Sequence, residues 1–349
     1  MVVNNLIYRY KNYRKQGYLN YPLSFKSKYA FIGVGNHSIS NLYPVIDYLG
    51  VPLKYIGTGS EKNAEKMAAR YKDCYGTNNL DLIANDLEIE GVFICSDPAI
   101  HYDLTKKFLG ANKSVFVEKP PCSNMKELEE LSSLVKASKK HCLVGLQKRY
   151  SSIYSILKKK LKNVNTYYFK FLTGAYPEGD EILDLFIHPL DVIGFLFGQT
   201  ESRLIKIIRN GNNLTVFLII SHKDGTTGNV ELSTNYTWNN AKEDLSVNTT
   251  EGIYISDGSF LLKYIAKSPS LIGIPLEKVF SLKQKEEILF KNTGFVPTGK
   301  FNQVYTQGYY GEIKTFTDLV EGRKVKNLTS PDSIKTTYEL IEEIKQKLD

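Results

Sequence analysis

Five short apolar runs dominate the first 145 residues: Tyr29–Ile32, Leu53–Ile56, Gly91–Cys95, Ser114–Val117 and Cys142–Gly145. The stretches Ile39–Leu49, Glu61–Tyr71, Ile100–Leu109 and Asn124–Lys139 between them carry apolar residues at helical spacing. A helix between two strands returns the chain in the same direction, so such runs pair as parallel neighbours. The alternation predicts an α/β domain over residues 28–148, a doubly wound parallel sheet.

The grammar changes after Tyr150. A helix to about Lys162, a strand over Thr166–Leu172 and a helix over Ile182–Phe197 lead into six further strands: Arg203–Ile208, Leu214–Ser221, Thr227–Thr234, Leu245–Thr250, Gly252–Ile255 and Phe260–Ile265. Asn229-Val230-Glu231-Leu232-Ser233 alternates with period two, as a strand does when one face is covered. Two helices close the chain, Gln303–Glu321 and Pro331–Leu348, the second with Ser330 as its cap and Pro331 at its first position. Residues 149–349 are therefore expected to form an α+β domain on an antiparallel sheet. Residues 1–27, rich in Tyr, Asn and Lys, read as an appended arm on the surface or around a neighbour, and no internal repeat or low-complexity tract appears.

Composition narrows the function classes. At 349 residues and 42% hydrophobic content the chain suits about two globular domains, and no apolar stretch approaches a membrane span. Tyr8-Arg9-Tyr10-Lys11-Asn12-Tyr13-Arg14-Lys15 interrupts the place where a signal peptide needs its apolar core, so a cytoplasmic location is expected. Cys74, Cys95, Cys122 and Cys142 stand singly, which argues for reduced thiols and against a zinc site or disulfide framework. The formal charge of +8 invites a nucleic-acid partner, but six basic residues and no acid fall within residues 1–28, leaving +2 for the rest. Lys158-Lys159-Lys160 reads as a solvated helix face, so neither nucleic acid nor membrane is expected as a partner.

Gly33-Val34-Gly35-Asn36-His37-Ser38 follows the first strand and opens a helix, the setting in which a glycine-rich turn cradles a dinucleotide pyrophosphate. Gly33 permits the tight turn, Gly35 lets a phosphate approach the backbone, the helix N-terminus supplies N–H groups, and Ser38 replaces the usual third glycine. Where an NAD site presents an acid at the end of the second strand, this chain reads Gly57-Thr58-Gly59-Ser60-Glu61-Lys62. Thr58, Ser60 and Lys62 would receive a 2′-phosphate, which favours NADP over NAD. The same residues also read as an ordinary helix start, with Ser60 as its cap and Lys62 in solvent.

Val115-Phe116-Val117-Glu118-Lys119-Pro120 closes a parallel strand at the end where open α/β sheets gather ligands. With Ser96-Asp97-Pro98-Ala99-Ile100-His101 upstream and Asp184-Leu185-Phe186-Ile187-His188-Pro189-Leu190-Asp191 downstream, it resembles the glucose-fructose oxidoreductase/inositol dehydrogenase/rhizopine-catabolism oxidoreductase (Gfo/Idh/MocA) family from about Tyr29 onward. The resemblance implies a Rossmann domain followed by an α+β domain with a large, mostly antiparallel open sheet, which supplies most substrate contacts. It implies that Lys119 reaches substrate and nicotinamide, that Pro120 has a cis bond, and that His188 exchanges a proton with Asp184 as its partner. Residues four apart on a helix share a face, so a carboxylate there can orient an imidazole. With the glycine turn and the residues after the second strand, Ser96, Asp97, His101, Glu118 and Lys119 complete the expected cofactor contacts. Arg149, in Gly145-Leu146-Gln147-Lys148-Arg149-Tyr150, joins Lys119, Asp184 and His188 as an expected substrate contact.

The chain departs from the family pattern at two places. Phe186 stands where many relatives have glycine, and Ser96-Asp97 replaces a usual Thr-Pro, bringing a carboxylate towards the nicotinamide ribose. His141 and His222 read as structural, and Asp184, His188 and Asp191 imitate a metal cluster without a further ligand, so no metal is expected. The 24 tyrosines suit interfaces or sugar stacking as well as cores. The function expected is an NAD(P)-dependent oxidoreductase moving hydride between nicotinamide and a sugar, polyol or nucleotide sugar, in a homo-oligomer. A dinucleotide sensor without turnover and a glycosidase that uses bound nicotinamide are the alternatives.

Overall fold

The computed structural model describes residues 2–19, 24–293 and 302–348, which divide into two compact units. The first comprises Met1–Cys122, Glu129–Gly145 and Glu312–Pro331; the second comprises Ser123–Leu128, Leu146–Gly311 and Asp332–Asp349. The sequence reading runs the second domain unbroken to the C-terminus, whereas Glu312–Pro331 packs in the first unit.

In chain order the first part runs α1 (Val2–Leu19), β1 (Lys28–Ile32), a wide π-type turn at Ser38–Leu42 leading into α2 (Tyr43–Leu49), β2 (Leu53–Gly57), α3 (Glu61–Ala68), β3 (Tyr75–Thr77) and α4 (Leu80–Asn85). It continues through β4 (Ile89–Ile94), α5 (His101–Gly110), β5 (Ser114–Glu118), α6 (Met125–Ser138) and β6 (Cys142–Gly145). The arm expected at the N-terminus is a helix over Val2–Leu19, with Val3, Leu6, Tyr8, Tyr10 and Tyr13 exposed.

All six strands of the first sheet are parallel, in the order β3-β2-β1-β4-β5-β6, the doubly wound arrangement expected. Their side chains are apolar on both faces because helices cover both. Phe31 stacks on Tyr43 of α2 with ring centroids 4.3 Å apart, and Phe93 meets Phe316 of the C-terminal return edge-on at 4.9 Å. Each such fully buried side chain contributes roughly 1.5–3 kcal/mol of apolar transfer. The strand order reverses between β1 and β4, and this opens a crevice beyond their carboxyl ends.

The second unit contains α7 (Ser152–Lys160), β7 (Val164–Leu172), a wide turn at Glu181–Phe186 entering α8 (Ile187–Phe197), β8 (Thr200–Asn210), β9 (Asn213–His222), β10 (Thr227–Ser233), β11 (Lys242–Thr249), β12 (Gly252–Asp257) and β13 (Leu261–Ala266). The short ribbon β14 (Ser270–Leu271) and β15 (Ile274–Pro275) precedes β16 (Glu286–Lys291), α9 (Gln303–Thr306), α10 (Tyr309–Val320) and α11 (Lys335–Gln346). Eight strands form a sheet in the order β16-β13-β12-β11-β7-β10-β9-β8, antiparallel except where β10 runs parallel to β7. Period-two alternation sorts its faces: Leu214, Val216, Leu218 and Ile220 of β9 are buried, while Phe217 and Ile219 between them are exposed. On the covered face Tyr167 of β7 stacks on Phe197 of α8 with ring centroids 3.9 Å apart. The terminal helix expected over Gln303–Glu321 is two helices, because Gly308 adopts φ +107°.

Candidate functional site

A cleft of about 580 Å³ opens at the carboxyl ends of β1 and β4, where the sheet order reverses. Gly33, Gly35, Asn36, His37 and Ser38 form one wall; Thr58, Gly59 and Asn78 form another; Ser96 and Asp97 close it. Gly33 is irreplaceable on steric grounds: its φ is +114°, and a Cβ there would stand 1.9 Å from the Cys95 carbonyl oxygen. A Cβ on Gly35 would meet nothing within 4 Å, so backbone faces open space at that point of the cleft. Tyr43 braces the turn from beneath by donating its hydroxyl to Gly33 O at 3.1 Å. Ser38, the substitute for the third glycine, is fully buried and closes a local ring with Gly35, accepting from its N–H at 3.0 Å and donating to its carbonyl at 2.9 Å. The Ser96 hydroxyl is buried with no hydrogen-bond partner among the described residues, an orphaned polar atom at the rim of this cradle.

Other expected cofactor residues have different tasks. Ser60 caps α3, accepting the Asn63 N–H at 3.4 Å, and neither Ser60 nor Lys62 lines the cleft. Asp97 caps the short turn Pro98–Ile100 by accepting the Ala99 N–H at 2.9 Å, which explains a carboxylate at this position. His101 is buried rather than open to the cleft. Its Nδ1 lies 2.9 Å from Pro120 O and its Nε2 3.1 Å from Ser96 O, tying the loop after β4 to the loop after β5. Burial pulls its pKa below the ordinary imidazole value against the raising effect of the Pro120 carbonyl. It is a fastener between loops, and its expected role as a cofactor contact is corrected accordingly.

Glu118 and Lys119 end β5 outside the residues that line the cleft, and the Lys119–Pro120 peptide is cis. The Glu118 carboxylate is almost wholly buried over Gly145 of β6, where a Cβ would come within 2.9 Å of it. It accepts the Lys119 N–H at 3.2 Å and pairs with His37 Nε2 at 3.4 Å, so it joins the end of β5 to the glycine turn. Burial first, and then the Glu118 charge, push the carboxyl of the entirely buried Glu312 well above the usual carboxylate range. Burial likewise pushes the Cys95 thiol up, helped by the Glu118 charge, which disfavours the thiolate of this cysteine in the cleft wall.

In the second unit, His188 sits half-buried in the first turn of α8. Asp180 caps the turn before it, accepting the Ile182 and Leu183 N–H groups at 2.9 and 3.0 Å while Lys345 holds its other oxygen at 2.5 Å. Asp184 Oδ2 accepts the Asp180 N–H at 3.1 Å, which anchors the wide turn that leads into His188. Phe186 is fully buried, edge-on to Phe171 at 6.4 Å, so the residue that replaces glycine fills the core.

Arg149 has a different place from the expected one. Its guanidinium, 4% exposed, forks onto Asp191 through Nε at 2.8 Å and Nη2 at 2.6 Å, and also reaches Ser333. Thr337 donates to the same Asp191 carboxylate at 3.1 Å. The arginine thus fastens α8 to the chain before α11, and its assignment as a substrate contact is withdrawn. Asp191 is this arginine's partner, and among the described residues no three or more His, Cys, Asp or Glu side chains are grouped as metal ligands.

Sequence reasoning missed a cavity of about 640 Å³ within the second unit, walled by Phe171, Trp238 and Phe260 and edged by Glu243, Asn292, Gln303 and Gln307. Glu243 there pairs with Lys148 and accepts the Tyr154 hydroxyl at 2.6 Å. Asn78 of the first cleft was also missed, because β3 is too short to register as a periodic run.

Residues 27–146 match the model of the oxidoreductase family with an NAD-binding Rossmann fold. Over these residues, about a third of the chain, the sequence is that of the family's NAD-binding Rossmann domain. Among curated family relatives, it is 26% identical over 164 residues to an uncharacterized oxidoreductase, YhhX, of Escherichia coli, covering 43% of this chain and 48% of that one. It is 26% identical over 159 residues to the scyllo-inositol 2-dehydrogenase (NADP(+)) of Bacillus subtilis, covering 46% of this chain and 48% of that one. In these matches the chain spans about half the length of the curated relatives. Solved structures share the fold over most of the chain. A dehydrogenase from Chromobacterium violaceum superposes with TM-score 0.79 at 17% identity, covering 92% of this chain and 94% of that one. UDP-N-acetylglucosamine 3-dehydrogenase from Acidithiobacillus ferrooxidans gives TM-score 0.72 at 15% identity, covering 91% and 96%.

Proposed function

We propose that the protein is an NAD(P)-dependent oxidoreductase that transfers hydride between a nicotinamide and a carbinol or carbonyl carbon of a sugar, polyol or nucleotide sugar. The observation that carries this reading is the cleft at the switch point of the parallel sheet, with a left-handed Gly33 at its turn and open backbone at Gly35. The residues present fit a dinucleotide: the helix N-terminus that the glycine turn opens would face the diphosphate, and Thr58 and Gly59 the adenosine ribose. The absence of a carboxylate at the end of β2 favours NADP, in keeping with the NADP(+) in the name of the Bacillus subtilis relative.

A bound nicotinamide supplies or accepts the hydride. The Lys119 ammonium holds the reacting oxygen and offsets negative charge that develops on it. The His188 imidazole takes the hydroxyl proton in oxidation and returns it in reduction, an exchange worth roughly 10²- to 10⁴-fold. Asp184 secures the turn that presents His188. Aromatic walls and amide edges suit the second unit's cavity to a carbohydrate ring. The exposed apolar side chains of Tyr168, Leu204, Phe217 and Ile219 on the outer sheet face support a homo-oligomer.

The test is to incubate the protein with NADP⁺ or NAD⁺ and a panel of inositols, hexoses and nucleotide sugars while following nicotinamide absorbance. Reduction with at least one of them is expected. Sugar release without net change in absorbance would replace this reading with the glycosidase, and dinucleotide binding with no exchange across the panel would replace it with the sensor.

A further inference from the structure

The glycine-rich turn has given up one of its own donors. The Gly35 N–H, which in such a turn is available to a diphosphate, donates to Ser38 Oγ at 3.0 Å, and the Gly33 N–H is bonded to Gly57 O at 2.8 Å. A side chain on the same turn is placed to replace it. His37 lines the cleft with its side chain 42% exposed, its Nε2 3.4 Å from Glu118 Oε1 and its Nδ1 3.2 Å from Asn41 Nδ2.

We infer that His37 is the anion contact of this turn: the Glu118 carboxylate, 3.4 Å from Nε2, holds the charged ring as its ion-pair partner, and Nδ1–H is presented to the diphosphate of a bound dinucleotide. This rests on the dinucleotide-binding reading above and names the residue that tunes it. In the arrangement seen, the Asn41 amide donates towards Nδ1, so that nitrogen is an acceptor. Protonation makes Nδ1 a donor, displaces Asn41, and leaves a cation whose natural partner is a phosphate oxygen. The groups that face the ring are the Glu118 carboxylate and the Lys119 ammonium from the end of β5, and the neutral Asn41 amide from its own helical turn. Burial and Lys119 pull the imidazole down, but the hydrogen bond and charge of Glu118 outweigh them and hold it above its ordinary value. The charged contact is therefore complete below that raised value and is lost as pH rises through it.

The experiment is a calorimetric titration of the full chain with NADH, which has no 2′-phosphate to titrate, at about pH 6 and about pH 9, on either side of the imidazole range. Affinity should fall about tenfold between the two, the loss of one charge-assisted contact. His37→Asn should bind weakly and equally at both, His37→Arg tightly and equally at both, and Glu118→Gln should move the wild-type midpoint to lower pH. Wild-type protein that binds NADH with no pH dependence, or His37→Asn that keeps both affinity and slope, overturns the assignment of His37 alone. If NADPH alone binds, the same pH contrast is read as the difference between the parent and His37→Asn; wild-type protein that binds neither NADH nor NADPH at either pH overturns the dinucleotide reading, and this inference with it.

Discussion

Arg149 and Asp191 face each other as a two-pronged ion pair, at 2.8 and 2.6 Å, with side chains only 4% and 1% exposed. Removing one partner leaves the other charge buried without its match, which costs about 3–5 kcal/mol. Arg149→Ala and Asp191→Ala should each lower stability by about that amount in urea denaturation. Arg149→Lys should recover only part of it, because an ammonium cannot reproduce the fork. Full stability in Arg149→Ala would return this residue to the list of free site groups.

The two glycines of the turn should separate folding from binding. Gly33→Ala forces a Cβ into the Cys95 carbonyl and a non-glycine residue into φ +114°, so it should lower the melting temperature and abolish dinucleotide binding together. Gly35→Ala projects only into open space, so it should melt like the parent and bind NADPH at least tenfold more weakly, about 1.4 kcal/mol. Fluorescence titration beside a thermal melt reads both.

Cofactor choice is expected to turn on the end of β2. Thr58→Asp places a carboxylate where a 2′-phosphate would sit, and like charges there repel. Affinity for NADPH should fall about tenfold or more relative to NADH. An unchanged ratio in paired titrations would move the 2′-phosphate site away from Thr58.

The outer sheet face offers a test of assembly. Phe217→Lys combined with Ile219→Lys puts charge on an exposed apolar strip and leaves the buried face of β9 untouched. Light scattering should show the parent as an oligomer and the variant as a monomer with an unaltered circular dichroism spectrum. A monomeric parent would refute the assembly.

The parallel sheet was legible because Tyr29–Ile32, Gly91–Cys95 and Ser114–Val117 are apolar on both faces and punctuated by helices. β3 escaped notice because it is three residues long and owes its place to Gly76, where any Cβ would strike the Ala64–Glu65 backbone at 2.2–2.4 Å. β16 escaped because it begins Glu286-Glu287 on a sheet edge, where burial does not select a pattern. The break at Gly308 depends on close approach to the Gln147 carbonyl, a contact between residues far apart in the chain. Arg149 misled for the same reason: Asp191 lies 42 residues away, and nothing in the local sequence says which polar side chain turns inward. The cleft residues were readable because the glycine turn is a local device, whereas nothing in the local sequence says that the Ser60 and His101 side chains answer backbone groups, or that Asp97 caps a turn while lining the cleft.

The proposed roles of Lys119 and His188 in hydride transfer are tested most directly by single-turnover kinetics, read for each residue by itself. Lys119→Ala and His188→Ala should bind the dinucleotide about as the parent does, yet slow the change in nicotinamide absorbance by roughly 10²- to 10⁴-fold on an identified substrate. Transfer at the parental rate in either variant would contradict the account.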